Sequence, residues 1–313
     1  MIDVVRAAIA APSLHNSQPW RLRVTDSGSR IELFADPARM LPVSDPHGRA
    51  AYLACGAALL NLRVAAAADG RQAHVTLTPD PDRPLFVARV ELSDGQLATR
   101  ADRELCAAIP RRHSNREPYS DEVVPPDVKA ELAAAAKSEQ GLLRFLDENS
   151  SARVRHLALD AERQLLKDHA YRAELAQWVS RDRHADGIDV QALGPRSEIG
   201  RDPVRDFAPT RPAPTRYADF EDQPQLAILS VRADNLLGWI AAGQSLERAW
   251  LTATCRGISL CPLTQPLETP DAWLVRDAHR GFEYPQMIMR IGYGPPVDAR
   301  SPRRPVQDVV TWL

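Results

Sequence analysis

Apolar residues along the chain change period several times, and each change marks an element. Ile2, Val5 and Ile9 recur at helical spacing, and Pro12 closes that helix. "RLRVT" (21–25) and "IELFAD" (31–36) then alternate apolar with polar, as the arms of a hairpin turned at Asp26, Ser27 and Gly28. An Ala-rich run predicts a long helix from about Arg49 to Ala68, stopped by Gly70. "LFVARVEL" (85–92) reads as a strand, and the polar stretch "SDGQLATRADRE" (93–104) reads as a linker. These features divide the chain into halves, 1–105 and 106–313.

The second half starts with the Arg-rich turn "RRHSNR" (111–116) and a helix with Pro126 near its start, and helices continue to about Val179. Six prolines (195, 203, 209, 212, 214 and 224) then interrupt segment 194–224, which has few aliphatic residues. So long an irregular insert in a folded chain is a functional lid or a disordered loop. "LAILSV" (226–231) predicts a strand, 243–256 a helix, and "PQMIMRIGYG" (285–294) a buried strand.

The halves share a pattern. "GAALLNLRVAAAADG" (56–70) and "GQSLERAWLTATCRG" (243–257) keep the same Gly-to-Gly spacing and the same apolar face. Each precedes a Pro-initiated strand with Arg in the same place, "PLFVARV" (84–90) and "PQMIMRI" (285–291). The repeated order of helix, Gly stop and strand favours a tandem duplication over a chance likeness of two Ala-rich helices.

Composition narrows the function. Across 313 residues, Lys+Arg 39 against Asp+Glu 41 leaves a net charge of −2, which argues against nucleic acid or an anionic membrane as partner. Four cysteines form no CxxC pair, as expected in a reducing compartment. The amino terminus lacks a basic leader, and the most apolar window, 50–68, has Asn61 and Arg63 well inside it. The expectation is a cytoplasmic protein. No HExxH or Cys/His ligand spacing suggests a metal, no GxSxG elbow or Gly-Lys-Ser/Thr loop occurs, and "GYGPP" lacks the third glycine of a dinucleotide fingerprint.

Two polar segments remain. In "RRHSNR", Arg112, Ser114 and Arg116 alternate, so an extended backbone points them the same way. Two guanidinium groups flanking a hydroxyl suit a phosphate or a phosphorylated polyol, although a solvated Arg turn would look similar. "APSLHNSQPW" (11–20) gathers a hydroxyl, two amides and an indole in a stiff loop, suited to a flat ligand with polar edges. "SPRRP" (301–305) adds a Pro-flanked Arg pair near the carboxyl end.

Together these segments resemble the flavin-dependent nitroreductases. "APSLHNSQPW" is similar to their PSxxNxQPW segment, "RRHSNR" to their Arg-x-Ser-x-Arg/Lys motif, and "GISLCPLTQP" (257–266) to the loop passing flavin N5. "PRRPV" sits where they keep a terminal phosphate-binding cation. The order is unusual, because the Asn-Gln-Pro-Trp segment precedes Arg-Ser-Arg by about a hundred residues and "KSEQGLLRFL" stands where a second copy would be. That arrangement looks like the Acg-type nitroreductase-like proteins.

The resemblance implies an α+β tandem-duplicated nitroreductase fold, an internal pseudo-dimer with one complete FMN site under a lid at 194–224. Pro12, Ser13 and Asn16 would meet the ribityl chain or the pyrimidine edge. Arg112, with Arg303 or Arg304, would bind the phosphate, His113 and Ser114 would follow along the ribityl chain, and Arg116 would face N1 and O2. Pro262 would shape the loop whose Leu263, Thr264 and Gln265 backbone groups address N5 and O4. The implied activity is NAD(P)H-dependent reduction of a small molecule by hydride transfer at N5. FMN sequestration without turnover, and a specialised biosynthetic dehydrogenase, are the alternatives. Either a monomer or a homodimer is compatible with this reading, and neither a metal nor a catalytic side chain is implied.

Overall fold

The computed structural model describes residues 1–25, 28–78, 82–83, 85–179, 185–197, 205–207, 215–278, 283–298 and 301–313. The expected turn at Asp26 and Ser27 lies outside the described residues, as do residues 198–204 and 208–214 of the proline-rich insert.

Helix α1 (Ile2–Ile9) buries Val4, Val5, Ala8 and Ile9 and leads into the "APSLHNSQPW" loop. Strands β1 (Trp20–Thr25) and β2 (Arg30–Ala35) alternate buried and open positions and pair antiparallel, with Leu22 opposite Leu33 and Val24 opposite Ile31. Helix α2 (Arg49–Ala68), β3 (Arg71–Leu77) and β4 (Phe86–Asp94) follow. The carboxyl-terminal strand β11 (Val310–Trp312) returns to pair parallel with β1, completing a sheet of order β11-β1-β2-β4-β3.

The expected linker is mostly structured. Its first residues extend β4, and α3 (Arg100–Ala108) begins at a capping box between Thr99 and Asp102. A division at 105/106 would cut α3, and β11 carries the end of the chain into the first sheet.

After α3 come α4 (Pro126–Ser138), β5 (Leu142–Phe145), α5 (Glu148–Leu165) and α6 (His169–Trp178). Strand β5 was not expected from the pattern. Within the candidate lid, β6 (Arg196–Ser197) pairs with β7 (Tyr217–Ala218), and Arg205 and Phe207 are buried. Then β8 (Leu226–Val231), α7 (Leu236–Cys255), β9 (Ser259–Pro262), α8 (Trp273–Ala278) and β10 (Tyr284–Gly292) complete a second sheet, β5-β8-β10-β9. Every residue of β8 is buried, which explains a run that is apolar except for Ser230. Leu229 faces a core with α4 and α7, while Ile228 packs with Val154 and Val275 of α5 and α8.

Helices α2 and α7 cross at the centre of this mixed α+β fold. A Cβ on Gly243 would stand 1.9 Å from the Leu53 carbonyl oxygen, and one on Gly56 would stand 2.2 Å from that of Ile240. Each glycine therefore meets the carbonyl three residues before the other, a reciprocal contact of the kind a two-fold relation produces. Because Gly243 is a crossing point and not a helix start, α7 begins earlier than expected, capped by the Asn235 side chain accepting from the Gly238 N–H.

Among the described residues one helix, Arg49–Ala68, is long and apolar enough to cross a membrane, and 78% of its most apolar window is buried inside the protein. The four cysteines are free thiols.

Candidate flavin site

The "APSLHNSQPW" loop holds three non-glycine residues at positive φ: His15 (52°), Asn16 (54°) and Gln18 (52°). Such backbone is costly unless its surroundings over-determine it. Here they do. Asn16 donates from Nδ2 to the Gly187 and Pro302 carbonyls at 2.8 and 2.9 Å, and its Oδ1 accepts from Arg303 at 2.9 Å. Gln18, fully buried, donates to the Ala185 carbonyl and accepts from the Arg304 backbone N–H. Ser13 Oγ accepts from the Gln18 N–H at 2.9 Å. The loop is thus tied both to residues 185–187 and to the carboxyl-terminal segment.

The Arg-Ser-Arg segment runs extended beside β9: Ser114 bridges Leu260, and the Asn115 N–H donates to the Leu260 carbonyl. Asn115 turns away to Ser259 Oγ and the Pro295 carbonyl, while Arg112, Ser114 and Arg116 all face one cleft. The alternation expected from sequence is what the β geometry produces.

That cleft has two adjoining compartments. The outer, of about 240 Å³, is lined by Pro12, Ser13, Asn16, Arg112, His113, Ser114, Arg116 and Arg303 among others. The inner, of about 100 Å³, shares Pro12, Ser13, His15, Ser114, Arg116 and Ile188, and adds residues of α2, α7, the Pro262–Glu268 turn and the buried Arg205–Phe207 segment. Ten of the thirteen residues expected from sequence line one compartment or the other.

Three do not. Arg304 points to the opposite side of the terminal segment, where its Nη2 donates to the Asp308 carbonyl. Of the Arg pair, only Arg303 reaches the cleft, as neighbours on an extended chain diverge. Leu263 and Gln265 are buried behind the loop, and the Leu263 N–H already donates to the Ile288 carbonyl at 2.8 Å. That amide is taken by the sheet; Pro262 and Thr264 form the inner wall.

The charges are unevenly matched. Arg112, which lines the outer compartment, and Glu247 are almost fully buried and form an ion pair at 3.1 Å, with the guanidinium 4.6 Å from the centre of the Trp250 ring. Burial raises the Glu247 carboxyl above its usual range, opposed chiefly by Arg112. Arg303 lies beside Arg112, and both donate to the Ala10 carbonyl. Burial first, then the Arg112 charge, pushes Arg303 down to about 9 despite Glu247. Two guanidinium groups thus share one carboxylate, and an anion in the outer compartment would relieve the surplus.

In the inner compartment Arg116 donates to the Ala192 carbonyl and lies over the Phe207 ring. Arg205 pairs with Glu268 and bonds Thr264 and Tyr171. His15, only 4% exposed, has an Nε2 with no hydrogen-bond partner among the described residues. Burial, then Arg205 and Arg116, hold His15 well below the usual imidazole range, so it is neutral. His15 and Arg49 were not singled out in the sequence; His15 occupies a variable position of the PSxxNxQPW pattern, and nothing local marks Arg49.

No protein-family model matches the chain. The Mycobacterium tuberculosis protein named "Putative NAD(P)H nitroreductase Rv3131" is 34% identical over 319 residues, covering 99% of this chain and 90% of its own length. "Putative NAD(P)H nitroreductase acg" of the same organism is 30% identical, covering 98% and 95%. Among solved structures, the FMN-dependent nitroreductase NfnB of Mycobacterium smegmatis in complex with NADPH aligns at 14% identity, over 66% of this chain and 97% of its own, with TM-score 0.42. A Bacteroides fragilis nitroreductase with bound FMN aligns at 16% identity, over 63% and 94%, with TM-score 0.39. With about a third of its residues shared with the mycobacterial proteins along nearly its whole length, the chain belongs to the acg-type nitroreductase family.

Proposed function

We propose that this protein is a cytoplasmic FMN-dependent oxidoreductase that reduces a small molecule at the expense of NAD(P)H. The observation that carries the reading is the surplus of buried guanidinium charge at Arg112 and Arg303 over the single carboxylate of Glu247. A phosphate monoester supplies the missing negative charge and accepts charge-assisted hydrogen bonds from both groups. The relatives' names point to the same chemistry.

In this reading Arg112 and Arg303 hold the phosphate, and Ser13, His113 and Ser114 line the path of the ribityl chain. Pro12, Pro262 and Thr264 wall the ring. Bound FMN supplies two-electron hydride chemistry at N5. Arg116, shared by the two compartments, meets the negative charge that reduction places on the N1–O2 edge. The Asn16 amide is committed to Gly187, Pro302 and Arg303, so it orients the loop and the phosphate-binding arginine.

The halves 1–105 and 106–313 are read as duplicated units that complete one site across the α2–α7 crossing, so a monomer suffices. Purified protein should release about one FMN per chain, measured by absorbance. Two flavins per chain, or none after loading, would refute the reading.

A second reading, an FMN store, draws on the ties at and beside the candidate lid 194–224. Asn16 to Gly187, Gln18 to Ala185 and Arg39 to Asp186 hold residues 185–187 to the first half, and Arg205 within the lid pairs with Glu268. Anaerobic mixing with NADPH separates the two: bleaching of the flavin supports the reductase, and a persistently yellow protein supports the store.

A further inference from the structure

Arg49 is the first residue of α2 and lines the inner compartment with Ala50 and Leu53 of the same helix. A cation is disfavoured at that position, because the unpaired N–H groups of a helix start already carry partial positive charge. The first turn of α2 contains no acidic residue to offset it. Asp45 commits its carboxylate to the Ala50 and Ala51 N–H groups, and Glu268 pairs with Arg205. Among the described residues no carboxylate forms an ion pair with Arg49. Burial lowers its guanidinium from the usual range, opposed by the more distant Asp45, Glu268 and Asp234. A buried guanidinium still keeps its proton.

The neighbouring strand holds this charge without neutralising it. Pro285 of β10 stands opposite Ser230 of β8 and Met287 opposite Leu229, so Gln286 is the extra residue of a β-bulge. A bulge leaves its extra residue unpaired and re-aims it. Here the Gln286 carbonyl accepts from Arg49 Nη1 at 2.8 Å, and Gln286 Oε1 accepts from the same atom at 3.2 Å. Gln286 Nε2 donates in turn to Asp234, which also accepts from the Trp239 indole at 2.7 Å. Both acceptors on Arg49 are therefore neutral, and an amide stands between it and the Asp234 charge. The compartment as a whole presents Arg49, Arg116 and Arg205 against one lining carboxylate, Glu268.

We propose that Arg49 is a second electrostatic residue for the flavin, a cation kept without a counterion so that it favours reduced over oxidised FMN. This rests on the flavin reading, in which the ring takes the inner compartment because Pro262 and Thr264 line only that space. The oxidised ring is neutral and the reduced ring gains negative charge, so an uncompensated positive charge in a poorly solvated compartment acts mainly on the reduced form. Arg116 approaches from the segment beside β9 and Arg49 from the start of α2, so the two cations reach the compartment from different elements. The cost of placing Arg49 at a helix start without an ion pair is then offset in function.

The test is spectroelectrochemical titration of the FMN-loaded protein, with affinity for oxidised FMN read by fluorescence. Arg49→Gln should reduce the preference for reduced over oxidised FMN at least tenfold, a fall of about 30 mV in the two-electron potential. Affinity for oxidised FMN should change less than that, and Arg49→Lys should keep most of the potential. Gln286→Glu, made together with Asp234→Asn so that the new carboxylate keeps a donor, should lower the potential with Arg49 still in place. An arginine with a purely structural role would not respond to that added countercharge. Should Arg49→Gln fail to fold, the Gln286→Glu pair decides. A loaded parent whose potential is unmoved by Arg49→Gln, or by the Gln286→Glu pair, overturns the proposal and leaves the flavin reading standing. A parent that never holds FMN refutes the flavin reading and the proposal with it.

Discussion

Glu162 of α5 sits behind the inner compartment, facing Arg205 and the Gln265 side chain. Burial raises its carboxyl from 4.5 to about 7, with Arg205 and the Gln265 hydrogen bond opposing the rise and Glu268 and Asp206 adding to it. The raised value means that the folded protein holds a proton on Glu162 that the unfolded chain has lost between these two pH values. Stability from this group is therefore complete below the unfolded value near 4.5 and falls as pH climbs towards 7. Above pH 7 the loss levels off at about 3 kcal/mol, from about 1.4 kcal/mol per pH unit. For a chain of this length that is roughly 5 °C in Tm. Glu162→Gln mimics the protonated carboxyl and keeps the bond to Gln265 available. Its Tm should match the parent at pH 5 and exceed it by about 5 °C at pH 8, followed by scanning calorimetry or circular dichroism. A Tm difference that does not change with pH, or a variant less stable at pH 8, would refute the assignment.

Other outcomes test separate parts of the structure. Gly243→Ala places a methyl 1.9 Å from a backbone oxygen and should destabilise by several kcal/mol in denaturant titrations. Gly257→Ala, with open space but φ of +70°, should cost only about 1 kcal/mol. Arg303→Met should weaken FMN by roughly 10- to 100-fold, the worth of a hydrogen bond to a charged group, whereas Arg304→Met should leave affinity unchanged by fluorescence titration. Arg116→Gln should lower the flavin reduction potential more than it weakens oxidised FMN, read by spectroelectrochemistry; an unmoved potential would place another group at the N1–O2 edge.

Segments whose packing is written in local period were legible in the sequence. The β1–β2 hairpin alternates because one face is buried, and β8 is apolar at all but Ser230 because helices cover both faces. The Arg112–Ser114–Arg116 alternation survived because β9 holds that segment extended. What failed depends on short elements or distant partners. Strand β5 is four residues long with only Leu143 well buried, and α3 buries little besides Ala108, so neither leaves a strong hydrophobic trace. The capping box "TRAD" (99–102) was the available signal for α3. Arg49 looked like any helix-start arginine until folding set the start of α2 beneath the Ser13–His15 loop.

The reciprocal crossing of α2 and α7 also sets side by side positions whose side chains differ between the two helices. If Gly56 and Gly243 are equivalent, the residue four positions on is Leu60 in α2 and Glu247 in α7. Leu60 is fully buried in an apolar cluster with Val64, Ile109 and Leu251, where a guanidinium would find no countercharge. Glu247 holds Arg112 at 3.1 Å. Seven positions before each glycine stand Arg49 in α2 and Leu236 in α7; Leu236 packs on the first core, whereas Arg49 charges the inner compartment. Each helix thus supplies one ionic residue where its counterpart supplies leucine, one beside the outer compartment and one beside the inner. At these two pairs of positions the crossing departs from two-fold likeness: Glu247 anchors Arg112, and Arg49 lines the inner compartment.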